Sequence, residues 1–250
     1  MSTGDTVPQP SKGTYHGPIW GALPPDYPTE RAESIYRKLL DDMDAKSHAR
    51  ALMGLGFKGV AYRFRAAADY QGESETSYYA PGGAAPPLDE QYRQERALFG
   101  FFVSGLASLE SFAFATHAAA AHYKSAQFLL SDDALRAVDP RSVADGLARL
   151  WPSASLTEVW QRLIADDAFR KWKEVRNILS HRLVPPRLIA ISPGSQTQTA
   201  WSFTNARLAD SDEAFDKITG PRRLWLGRYL CDLGCSRSQL PASGLMKRAA

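Results

Sequence analysis

The chain has 250 residues, 44% hydrophobic and 11% aromatic, enough to bury a sizeable core in one or two domains. That composition excludes a mainly disordered chain, a collagen-like repeat and a disulfide-stapled miniprotein. Thirty Lys and Arg against 27 Asp and Glu leave a net charge of +3, too small for the whole surface to trap polyanions.

Residues 1–28 read as an extended arm rich in proline (Pro8, Pro10, Pro18, Pro24, Pro25, Pro28), with Tyr15, Trp20 and Tyr27 as anchors. They lack the basic start and apolar run of a secretory signal. Residues 29–50 open with a Thr cap and an acidic first turn, and Ile35, Leu39, Leu40 and Met43 fall on one face of a predicted helix. Residues 57–70 mix β-formers with alanines and lean towards helix. Residues 71–89, with their Gly-Gly and three prolines, read as a loop.

The longest predicted helix runs from Asp89 to about Lys124, with Leu98, Phe102, Leu106, Leu109, Ala113 and Thr116 at three- and four-residue steps. Gly100, Ser104 and Ser108 form a stripe of small residues that lets another helix come close. Leu98–Ala121 is long enough to cross a bilayer, but Glu110 near its middle favours the centre of a helical bundle over a membrane. Short helices are expected at 131–137, with Ser131 as cap, and at 140–150. A long helix follows over 156–184, with Ser155 and Glu158 as a capping box and Pro185-Pro186 as its stop. Strands at Leu188–Ile191 and Thr199–Phe203 form a predicted β-hairpin within about 187–204. A last helix is expected from about Asp212 to Leu233, and 237–250 as a flexible basic tail. The whole reads as all-α, one helical domain over 29–236 with a small hairpin and an arm. Cys231 and Cys235 lack the companions of a zinc site and read as reduced thiols of a cytoplasmic protein.

Charge is unevenly distributed. Residues 170–187 hold Arg170, Lys171, Lys173, Arg176, Arg182 and Arg187 against Glu174, a local +5. From residue 222 onward, Arg222, Arg223, Arg228, Arg237, Lys247 and Arg248 against Asp232 add another +5, so the remainder carries −7 of the net +3. Such a pattern is either a footprint for phosphates or a solvated helical face followed by a basic tail. Five histidines are present (His16, His48, His117, His122 and His181), and only His181 lies within the basic stretch. His117 reads as a satisfied core histidine, and Trp160, Phe169 and Trp172 as packing rather than stacking platforms.

The segment Arg176-Asn177-Ile178-Leu179-Ser180-His181 resembles the signature of the HEPN (higher eukaryotes and prokaryotes nucleotide-binding) family: Arg, a polar residue, then His near the end of a bundle helix. The preceding aromatic-rich helix with its Glu, LFGFFVSGLASLESFAF, is similar too, and the resemblance covers roughly residues 30–233. It implies a HEPN-like helical bundle and a metal-independent endoribonuclease of a toxin–antitoxin, defence or RNA-processing system. It further implies a homodimer whose two motifs share one cleft. Arg176 and His181 would be catalytic, Asn177 and Glu110 supporting, and Arg170, Lys173 and Arg182 would hold phosphate. No cofactor or metal is expected, and the partners would be RNA or a nucleotide and an antitoxin or other protein.

The chemistry stands without the family. Metal-free RNA cleavage needs a base for the 2′-hydroxyl proton, an acid for the leaving oxygen and donors for the phosphorane charge. Histidine is ready for proton transfer near neutrality, and arginine offers a permanently charged fork of donors. On a helix Arg176 and His181 lie about 140° apart while Asn177 and His181 lie about 40° apart, so a two-fold dimer assembles the groups more readily than one copy. Glu110, flanked by Leu106, Ala107, Ala113 and Phe114, is either a brace for Arg176 or Arg170 or a rim residue reaching water. A non-catalytic RNA-, nucleotide- or protein-binding module and a purely structural helical dimer are the alternatives.

Overall fold

The computed structural model describes residues 23–25, 27–78, 86–181, 187–190, 198–201 and 213–214. Among these residues seven helices occur in chain order: α1 (Thr29–Asp42), α2 (His48–Tyr78), α3 (Leu88–Tyr123), α4 (Asp132–Arg136), α5 (Pro140–Leu150), α6 (Ser155–Ala165) and α7 (Asp167–His181). The described fold is a helical bundle centred on α3.

α2 and α3 form an antiparallel pair, because their contacts run in opposite directions along the chain. Gly56 meets Ala115, Gly59 meets Ser111, and Gly100 meets Tyr70. A Cβ on Gly56 would stand 2.7 Å from that of Ala115, so only glycine allows this approach. Ser108, buried in the seam, donates its hydroxyl to the Val60 carbonyl at 3.3 Å. The small-residue stripe is thus used at Gly100 and Ser108, with Gly105 rather than Ser104 as the tightest point against α7.

α2 bears out one expectation and corrects another. Its 31 residues take in the whole ambiguous stretch 57–70 and continue through 71–78, which were expected to be loop. Met53, Phe57, Val60, Phe64 and Ala67, at alternating four- and three-residue steps, are all buried against the core. An Arg96–Glu73 ion pair ties the end of α2 to α3.

The helix expected over 29–50 is broken into α1 and α2. Asp44 accepts the Lys46 amide through its side chain, and Ser47 Oγ accepts the Arg50 amide, so two short polar residues compete with the helix and restart it. Arg50 then donates to the carbonyls of Leu40 and Met43, each at 2.8 Å, which satisfies the acceptors at the end of α1.

The helix expected over 156–184 is also two. The Asp166 side chain accepts the Ala168 amide at 2.7 Å and caps α7, so the chain turns between Ala165 and Asp167. Ser155 is the first residue of α6 rather than its cap, and Ala154 in the cap position makes no side-chain bond. Ser131 precedes α4 without a capping bond from its side chain. The reciprocal capping box occurs instead at α5, between Asp139 and Ser142.

α7 is anchored by Trp172, fully buried, with its ring stacked on Phe101 at 5.3 Å between centroids. Trp160 of α6 stacks likewise on Phe112 at 5.2 Å. These aromatics are packing residues, each contributing on the order of 1.5–3 kcal/mol through burial. Tyr27 from the arm is buried edge-on against Phe64 at 4.9 Å, whereas Tyr15 and Trp20 lie outside the described residues. Among the described residues, Leu88–Tyr123 is the one helix long and apolar enough to cross a membrane, and 61% of its apolar window is buried inside the protein.

Arg187–Ala190 (β1) pairs antiparallel with Gln198–Trp201 (β2), in the register Arg187 to Trp201 and Ala190 to Gln198. Glu213–Ala214 (β3) pairs with the other edge of β2. This corrects the expected start of the last helix near Asp212, because Glu213 and Ala214 are committed to a sheet. The residues joining β1 to β2, the rest of that helix, the basic tail, Cys231 and Cys235 lie outside the described residues.

Candidate functional site

The sequence motif occupies the last turns of α7, and the packing of Trp172 determines where it goes. Trp172, Val175 and Ile178 are buried, which turns one side of α7 into the core. Arg176 lies four residues beyond Trp172, about 40° further round the helix, at the edge of that buried side. Its guanidinium therefore reaches across to α3, where Nη2 donates to Glu110 Oε1 at 2.7 Å. The side chains are 22% and 43% exposed, so the pair stands at a wall of the bundle open to solvent. At that exposure water screens the attraction, and its contribution to stability is on the order of 1 kcal/mol or less. Its main effect is directional: it fixes one face of the guanidinium and leaves other N–H donors of the fork pointing elsewhere.

Glu110 thus braces Arg176. Arg170, the other residue it was expected to reach, pairs instead with Asp167 one turn back on α7. That pairing places a counter-charge beside a residue expected to hold phosphate. Lys173 is exposed, and Asn177 and Ser180 are half-buried. His181 is the last residue of α7 and sits one turn beyond Asn177 along the same backbone face. The His181 side chain, and Arg182 altogether, lie outside the described residues.

Two other histidines on α3 have local engagements. His117 Nε2 is 2.9 Å from the Leu129 carbonyl, and its ring stands edge-on to Phe128. His122 packs edge-on to Tyr123. Among the described residues no group of three or more His, Cys, Asp or Glu is placed to hold a metal ion.

The sequence reading missed a neighbouring feature. An open cavity of about 370 Å³ lies between α2 and α3, lined by Leu55, Gly56, Arg63, Ala107, Glu110, Ser111 and Phe114. Glu110 belongs both to its wall and to the pair with Arg176. Arg63 donates Nη1 to Ser111 Oγ, and that hydroxyl donates to the Ala107 carbonyl at 2.7 Å. Arg63 lay in the stretch of ambiguous secondary structure, and only the register of α2 against α3 brings it to Ser111. No local pattern could have found it.

Comparison of the chain with protein-family models, with curated proteins and with solved structures gave no match.

Proposed function

We propose that the protein is a HEPN-like, metal-independent endoribonuclease that works as a homodimer, with Arg176 and His181 as its catalytic residues. The observation that carries the reading is the Arg176–Glu110 pair. It holds a permanently charged phosphate ligand at the wall of the bundle, at the end of the helix that also carries Asn177 and His181.

In the proposed reaction, an imidazole nitrogen of His181 takes the proton of a ribose 2′-hydroxyl. The freed oxygen forms a bond to phosphorus and the bond from phosphorus to the 5′ oxygen breaks, leaving a 2′,3′-cyclic phosphate. The departing 5′ oxygen receives a proton from the imidazolium of a second copy's motif. Arg176 stabilises the charge that accumulates on the phosphoryl oxygens, which is the largest contribution a fixed cation can make here. Asn177, one turn from His181, orients the imidazole or donates to the ribose. Lys173 and Arg182 supply further positive charge along the RNA, and Arg170 does so net of Asp167.

The test is cleavage of RNA in the presence of EDTA by the full chain. Wild type is expected to cut RNA and to spare the same strand made with 2′-deoxyribose. His181→Ala and Arg176→Ala are each expected to lose activity by about a hundredfold or more, in the range for loss of a proton-transfer or charge-stabilising group. Wild-type rates in both variants would overturn the assignment. Salt-sensitive RNA binding without cleavage would instead identify a non-catalytic binding module.

A further inference from the structure

We infer that the cavity between α2 and α3 is a guanine nucleotide subsite, with Glu110 reading the base and Arg63 its phosphate. The inference deepens the ribonuclease reading by naming the nucleotide that sits beside Arg176, and it rests on that reading for its consequence in cleavage.

Size comes first. A volume of about 370 Å³ falls in the range of small-molecule sites. From Leu55 to Arg63 the cavity follows eight residues of α2, which at helical rise is about 12 Å, the length of a base plus its sugar phosphate.

The walls follow the same order. Leu55 and Phe114 stand at one end, and Leu55 is 57% exposed. Apolar and aromatic side chains of this kind take the flat face of an unstacked base. Arg63 stands at the other end, held by one nitrogen on Ser111. A guanidinium has five N–H donors, so the remainder can grip a phosphate in forked geometry.

The chemistry of Glu110 then selects the base. Arg176 takes one bond at Oε1, and the carboxylate of Glu110, which lines the cavity, has further lone pairs to offer. A carboxylate only accepts hydrogen bonds. Guanine offers it two adjacent donors, N1–H and the N2 amine. Adenine and cytosine place a ring acceptor beside their single amine, and uracil flanks its N3–H with two carbonyl oxygens. Each of these three brings an acceptor against the carboxylate, which repels it.

Gly59 supplies an independent handle on Arg63. A Cβ there would lie 2.7 Å from Arg63 Nη1 and 3.1 Å from Ser111 Oγ, so Gly59→Ala displaces the guanidinium while favouring the helix.

The test is equilibrium binding to the full chain of guanosine, inosine, adenosine and uridine 5′-monophosphates, and of phosphate-free guanosine. Guanosine monophosphate is expected to bind at least about tenfold more tightly than the adenosine and uridine nucleotides. Inosine monophosphate, which lacks only the N2 amine, should fall between. Phe114→Ala is expected to weaken guanosine monophosphate about tenfold. Gly59→Ala should abolish its advantage over phosphate-free guanosine, with thermal unfolding run beside it to show that the variant is folded. Glu110→Gln, which presents an amide N–H donor where a carboxylate oxygen accepted, should erase the preference for guanine. Equal binding of all four nucleotides, or guanosine monophosphate binding unchanged in Phe114→Ala and Glu110→Gln, would overturn the subsite. Cleavage of a mixed RNA separates the two readings. Cutting with no preference for guanosine, together with equal nucleotide binding, sinks the subsite and leaves the nuclease. Selective guanosine monophosphate binding with no RNA cleavage sinks the nuclease and leaves the subsite.

Discussion

Trp172 sits in the notch that Gly105 leaves in α3, and its indole Nε1 donates to the Phe102 carbonyl of the same helix at 3.1 Å. A Cβ on residue 105 would press into the six-membered ring of the indole, far inside van der Waals contact. The notch therefore sets how closely α7 can lie on α3, and through α7 where Arg176 stands.

Gly105→Ala tests that dependence. In an exposed helix this change is worth up to about 1 kcal/mol of added stability, because glycine is a poor helix former. Here the added methyl must push a fully buried tryptophan, and overpacking of that kind costs about 1–3 kcal/mol. Net destabilisation in urea unfolding is expected, with a fall in RNA cleavage beyond what unfolding explains, because Arg176 is carried outward. A stabilised and fully active Gly105→Ala protein would show that α7 is placed by something else.

The Arg176–Glu110 pair is expected to matter for position far more than for stability. A double-mutant cycle with Arg176→Ala and Glu110→Ala should give a coupling of about 0.3–1 kcal/mol, the range for pairs that water still reaches. A coupling above about 2 kcal/mol would mean that the pair is a buried structural element, and the phosphate role of Arg176 would lose its support. Cleavage supplies the second readout. Glu110→Asp should retain part of the activity that Glu110→Ala loses, since the shorter carboxylate still orients the guanidinium.

How much of this was legible in the sequence depends on whether the information was local. α3 could be read directly, because Leu98, Phe102, Leu106, Leu109 and Ala113 keep one helical stripe and every one of them is buried. α2 could not. Its stripe through Met53, Phe57 and Val60 is interspersed with Gly54, Gly56 and Gly59, which weaken a helix locally. Gly56 fits here because α3 comes so close to it. The break at Asp166 was hidden for another reason. Apolar residues continue on both sides of it, and an aspartate caps a helix only by a turn that periodicity does not reveal. The restart at Ser47 is of the same kind, since the bonds of Arg50 to Leu40 and Met43 join residues up to ten apart.

The site divides along the same line. Arg176, Asn177 and His181 lie on one helix, so spacing alone relates them. That Glu110 would brace Arg176 rather than Arg170 needed the tertiary packing, because the two residues are 66 positions apart. Arg63 and Ser111, 48 apart, had no signal at all until α2 and α3 were set in register.

Tyr123, at the last turn of α3, gives a prediction in alkaline solution. Burial raises the pKa of its phenol above the ordinary 10.0, and the nearby negative charge of Asp42 and their hydrogen bond raise it further. The hydroxyl donates to Asp42 Oδ2 at 3.4 Å, which links the end of α3 to the end of α1. The folded protein therefore binds the phenolic proton more tightly than the unfolded chain does. That contribution to stability is fully present below about pH 10, the unfolded value, and is lost as pH rises through the folded one. In Tyr123→Phe the proton is absent from both states, so this part of the alkaline decline should vanish. The measurement is urea unfolding at steps from pH 8 to pH 11.5 for both proteins. Wild type should lose stability more steeply than Tyr123→Phe above about pH 10, and parallel curves would show that the phenol is not held by Asp42 and burial in solution.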